Sequence, residues 1–176
     1  MLQALQVKTL PLVTRNNMAA GLLRQAPPSS EFESLLVSMS EDETEDPEWR
    51  NYTVQFMAEA LPNAADRPRL EHALRVIAAQ ETKAWAATAV LHLARLGAAG
   101  TVTLDADFDR QVLAMAQNER LPTYARSTAL AVAGERRIAG VLELARALAL
   151  PGESSDVRRA AIGVLGSSTE LNDGIT

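Results

Sequence analysis

The stretch SSDVRRAAIGVLG (154–166) has a counterpart in PTYARSTALAVAG (122–134). Placing Arg126 on Arg158 sets Leu130 on Ile162, Val132 on Val164 and Gly134 on Gly166, at an offset of 32 residues. DPEWRNYTVQFMA (46–58) joins the register with Arg50, Val54 and Phe56, and ETKAWAATAVLHLARLG (81–97) falls between with Leu91 and Leu93. Anchors thus recur at positions 54, 91, 130 and 162. Self-similarity at such a period marks a solenoid, because one unit cannot bury its apolar face alone and stacking closes the core. Val54, Leu91, Leu130 and Ile162 are therefore expected to be buried at equivalent places.

Second helices sit between the anchors. RPRLEHALRVIAA (67–79) aligns Leu70, Ala73, Leu74 and Ile77 on one face, and DFDRQVLAMAQ (107–117) aligns Phe108, Val112 and Met115. RIAGVLELARALAL (137–150) aligns Ile138, Val141, Leu142, Ala145 and Leu148. This is amphipathic helical spacing. Pro62-Asn63, Asp66, Gly97 to Gly100 and Pro151-Gly152 punctuate the ends. Composition agrees: 47% of residues are hydrophobic but only 4% aromatic, so the apolar content is mostly Ala, Leu and Val. Ala and Leu are strong helix formers. The chain is expected to be all-α.

Residues 1–45 read as a degenerate terminal pair followed by an acidic linker. PLVTRNNMAAGLLRQA (11–26) predicts a helix with Leu12, Met18 and Leu22 inward, and EFESLLVSMS (31–40) a second with Phe32, Leu35, Leu36 and Met39. The recognisable repeats run over 46–167, and 168–176 form a tail. The whole of 1–176 is expected to be one domain of about four to five helical pairs.

The pairs resemble the HEAT repeat, and more closely the short bacterial variety called the phycobilisome-lyase HEAT-like repeat. Asp156, Val157, Arg158, Arg159, Ala160, Ala161, Ile162, Val164, Leu165 and Gly166 carry the resemblance. It is good in the last unit, fair at 121–134, and weaker where Trp49, Tyr52 and Trp85 replace smaller residues. It implies a right-handed α-α superhelix of the HEAT or armadillo kind, and specifies fold better than function. The family includes an iron-dependent hydroxylase built on His-Glu motifs. Here Glu71-His72 occurs once and in reverse order, so that activity is not carried over. Bilin lyases stand near the family, but nothing beyond the repeat points to a bilin site.

Net charge is −5. Eight acids and no Lys or Arg lie between Glu31 and Glu48, which leaves 17 basic against 14 acidic residues elsewhere. A concentrated basic face, the footprint of a nucleic-acid binder, is not evident. EDETEDPE (41–48) supplies no register for an EF-hand loop and is expected to form an exposed linker or helix cap without metal. DADFDR (105–110) alternates like a calcium loop, but Arg110 takes the glycine place and Ala116 the terminal glutamate's. Asp105 or Asp107 is expected to be an N-cap instead. His72 should be exposed, and His92 half-buried and hydrogen-bonded. They have no ligand spacing between them. Cysteine is absent, as are the P-loop, Gly-x-Gly-x-x-Gly and Gly-x-Ser-x-Gly patterns. Trp49 and Trp85 are expected in the core.

The expectation is a non-enzyme with no catalytic residue, metal or cofactor. It is a protein–protein interaction module or scaffold that binds a protein or peptide on the concave face lined by the second helices. His72, Arg75, Arg110, Gln117, Arg136 and Glu143 are the candidate contacts. The alternative is a nucleic-acid binder of the alkylation-repair type, also built from HEAT-like pairs. Arg50, Arg126 and Arg158 read as stabilisers bonding to neighbouring loops. No run long and apolar enough for a membrane span occurs, and the start reads as mature chain, so a cytoplasmic location is expected. The last helix lacks a full partner after it, so its far side, around Val157 and Leu165, is expected to be open. A homodimer through that end would cover it.

Overall fold

The computed structural model describes residues 1–25, 27–80 and 82–168. Those residues are all-α, with ten α-helices and no strand. They are α1 (Leu2–Leu5), α2 (Leu12–Leu23), α3 (Ser30–Glu41), α4 (Pro47–Ala60), α5 (Arg67–Ala78), α6 (Ala84–Ala98), α7 (Ala106–Gln117), α8 (Thr123–Glu135), α9 (Val141–Leu148) and α10 (Ser155–Ser167). None is long and apolar enough to cross a membrane.

Local chemistry sets the starts. Ser29, Asp46, Asp66 and Asp105 each accept a backbone N–H of the first turn of α3, α4, α5 and α7. Pro47 and Pro68 sit where a missing N–H costs nothing. Asp105 bonds to Asp107 and Phe108, which holds its carboxyl below the usual range, the Phe108 N–H contributing most.

Packing alternates. The even-numbered helices α2, α4, α6, α8 and α10 each pack on the next, while α3, α5, α7 and α9 each pack on the helix that follows them. Buried apolar residues form one cluster running from Leu5 to Val164. Ala86, Ala87, Ala89, Ala125, Ala129 and Ala133 are nearly fully buried, so the even-numbered helices meet through small side chains.

Several expectations need correction. Val54 and Leu130 are fully buried and Leu91 half-buried, but Ile162 is 57% exposed, because none of the described residues stacks on that side of α10. On the same helix Val157 is buried, not open, since it faces the preceding helices. The segment 137–150 is not one helix. α8 ends at Glu135 with Arg136 as its C-cap, and Arg137 takes a left-handed φ of 54°. Ile138 N–H bonds back to Ala133 and Arg137 N–H to Gly134, a Schellman closure. Gly140, also left-handed, then caps α9. The same closure ends α6, where Gly100 supplies the positive φ.

The acidic stretch is more than a linker. Glu33 is buried and accepts the N–H groups of Ala65 and Asp66 at 2.7 and 2.9 Å, fixing the entry to α5. Asp42 pairs with Lys8 at 2.6 Å, which holds its carboxyl well below the usual range, helped by Thr44. Glu45 is buried against Arg15, and Asp46 caps α4.

Candidate interaction surfaces

An arginine four residues past the N-cap recurs in α2, α4, α8 and α10, as Arg15, Arg50, Arg126 and Arg158. The first three act alike. Each donates its Nε–H to a carbonyl ten residues upstream: Arg15 to Leu5 at 2.9 Å, Arg50 to Ser40 at 3.0 Å and Arg126 to Ala116 at 3.2 Å. Ser40 and Ala116 lie at the ends of α3 and α7, where the last carbonyls lack helical partners.

The remaining N–H groups reach the next even-numbered helix. Arg15 makes a bidentate pair with Glu45 at 2.9 and 2.8 Å, and Arg126 makes one with Glu153 at 2.9 and 2.6 Å. Both glutamates stand immediately ahead of an N-cap, Asp46 and Ser154. The Arg126 hydrogen bond, joined by the Ser154 N–H, holds the Glu153 carboxyl below its usual range. Arg50 lies over the Trp85 ring at 4.0 Å, and Arg15 over Trp49 at 4.2 Å. Trp49 is fully buried, whereas Trp85 is only half-buried beneath its arginine. Arg158 makes no ion pair or side-chain hydrogen bond among the described residues, so the loop contact expected of it is missing.

The candidate contacts fall in three places. Arg75 pairs with Glu71 at 2.7 Å and donates to the Thr103 carbonyl at 2.6 Å, tying α5 to the segment ahead of α7. Arg110 pairs with Asp107, and Arg136 reaches back from the end of α8 to Asp109 at 2.7 Å and over the Phe108 ring at 5.3 Å. The start of α7 thus gathers Arg75, Arg110 and Arg136. Arg136 belongs to the C-cap of α8 and not to a second helix. His72 and Gln117 are exposed and make no side-chain hydrogen bond among the described residues. His92 is half-buried, likewise without a side-chain hydrogen bond there, and burial and then Arg95 press its pKa below 6.5.

Glu143 opens onto a groove of about 820 Å³ between the end of α8, the start of α9 and the end of α10. Arg137, Arg146, Glu135 and Glu143 put both signs of charge on its lining, which also includes Gly134, Gly163 and Val164. Among the described residues no group of three His, Cys, Asp or Glu could hold a metal ion.

The sequence reading passed over Arg15, Glu45 and Glu153, although the signal was present. Pro11 precedes Arg15 by four residues, as Pro122 precedes Arg126, and Glu45-Asp46 matches Glu153-Ser154 as glutamate before cap. Arg137 is not among the sequence candidates because a helix over 137–150 places it in a first turn rather than in the loop ahead of α9, and nothing in the sequence singles out Arg146. Gly140 is the real boundary of α9. No family model, curated protein or solved structure matches the chain.

Proposed function

We propose that this chain is a small α-solenoid of the HEAT or armadillo kind, its helical pairs stacked in a right-handed superhelix, that binds another protein along the surface of its second helices. The alternating packing of even- and odd-numbered helices supports the architecture, as does the arginine register that ties one unit to the next. In this role the protein performs no catalytic step and acts as a scaffold or interaction module.

The observation that carries the binding partner's class is the charge pairing at the start of α7. Arg75, Arg110 and Arg136 each hold an acid of this chain, Glu71, Asp107 and Asp109. A phosphate backbone is bound by cations free to replace its counterions. A surface of paired charges suits a polypeptide carrying both signs and hydrogen-bonding groups, and His72, Gln117 and Glu143 add exposed polar groups elsewhere on the chain. This favours a protein partner over the nucleic-acid alternative.

The test is a displayed peptide library selected on the immobilised protein, with a short DNA duplex at low salt as the competing ligand. Selected peptides should bind saturably and lose about tenfold on Arg110→Glu combined with Glu143→Lys, near 1.4 kcal/mol. Duplex binding that falls steeply with salt and disappears on Arg110→Glu would refute the reading.

A further inference from the structure

The outward side of α8 shows what covers such a face in this fold. Arg126, Leu130, Ala133 and Gly134 lie on it in one register, and Leu130 and Ala133 are fully buried. The covering element is α10. Its leading Glu153 is gripped by Arg126, and its Val164 side chain rests on Gly134, where a Cβ would come within 2.6 Å. α10 presents the same face again as Arg158, Ile162, Leu165 and Gly166. There Ile162 is 57% exposed, nothing lies within 4 Å of a Cβ built on Gly166, and Arg158 has no partner among the described residues.

We propose that this face of α10 docks a helix of a partner protein, a helix that carries a glutamate directly ahead of its N-cap and a β-branched residue seated over Gly166. The chemistry is set by the chain's own example. The arginine at this register takes a carboxylate two-handed, as Arg15 does with Glu45 and Arg126 with Glu153. Gly166 leaves room for a β-branched side chain of the kind that occupies Gly134. A second folded copy cannot supply the helix by the same contacts, because Glu45 and Glu153 are already held within their own chain. The occupant proposed is accordingly a helix of a different protein rather than a second copy. The surface lies apart from the charged cluster at the start of α7, so the inference does not depend on that reading.

The probe is a fluorescent peptide of residues 151–167, the segment that covers the equivalent face of α8. A staple between positions 159 and 163, both exposed in the fold, holds it helical. Anisotropy with the full chain should show saturable binding. Arg158→Ala in the protein and Glu153→Gln in the peptide should each weaken it at least about tenfold, and together little more than either alone, since both remove one ion pair. Ile162→Glu in the protein should abolish it, while circular dichroism shows both protein variants folded. Three results would each overturn the proposal. One is absence of saturable binding by the stapled peptide. Another is binding that survives Arg158→Ala and Ile162→Glu, which would mean that the peptide displaces α10 from α8. The third is self-association of the peptide-free chain that Ile162→Glu dissolves, which would give the face to a second copy.

Discussion

Replacing Arg126 by leucine and Arg158 by leucine makes the same change at the same helical register, with opposite expected outcomes. Arg126 gives two charge-assisted bonds to Glu153 and one to the Ala116 carbonyl, and its side chain is 7% exposed against 16% for Glu153. Leucine keeps part of the apolar stem and strands a largely buried carboxylate with only the Ser154 N–H. Breaking one side of a buried pair costs roughly 3–5 kcal/mol. The residual exposure of Glu153 and its remaining bond place this case at about 3 kcal/mol. For a chain of this size that lowers Tm by roughly 6–12 °C. Arg158→Leu removes no bond and should stay within about 0.5 kcal/mol of wild type. Urea unfolding followed by far-UV circular dichroism gives both values. A cycle with Glu153→Gln should return a coupling of at least about 1 kcal/mol. Acid adds a check, because the Glu153 pKa is lowered in the fold. Its contribution is complete above the ordinary value of 4.5 and is lost as pH falls through the folded value, so the wild type should show a steeper acid limb than Arg126→Leu. Equal losses for the two leucine variants, or a strictly additive cycle, would refute the assignment of Arg126 as the tie between α8 and α10.

Gly134→Ala drives a Cβ to 2.6 Å from Val164 and should cost about 1–3 kcal/mol, whereas Gly163→Ala meets nothing within 4 Å and should gain about 0.5–1 kcal/mol of helix propensity; thermal melts of the two variants decide. Arg137→Gly relieves a left-handed arginine in the closure that Gly100 makes at the end of α6, and should raise stability by about 1 kcal/mol in calorimetry. The folded-state pKa of His92 lies below 6.5, so the unfolded chain takes up the proton first and stability should fall as pH drops below 6.5. His92→Leu should flatten that part of the pH profile, as measured by urea midpoints.

Much of this fold was legible from local chemistry. Asp46-Pro47, Asp66 and Asp105 announce helix starts because a short carboxylate satisfies first-turn N–H groups wherever the chain runs on as a helix. The spacing of Leu70, Leu74 and Ile77, or of Phe108, Val112 and Met115, fixes which side of α5 and α7 turns inward. The start of α9 was not legible, because a left-handed arginine is tolerated at 137 only where burial of Ile138 compensates for it. The charged cluster at the start of α7 was half legible. Arg75 and Arg110 pair with Glu71 and Asp107 four and three residues back on their own helices, which spacing alone allows, but the pairing of Arg136 with Asp109 depends on how α8 approaches α7. The sequence by itself determined which residues can form an apolar or arginine-bearing face, since that follows from helical periodicity alone. Tertiary structure alone decided which of those faces are covered. Leu130 and Ile162 hold the same place in the same pattern, yet one is fully buried and the other 57% exposed, because burial belongs to the neighbour that stacks on a helix and not to the helix itself.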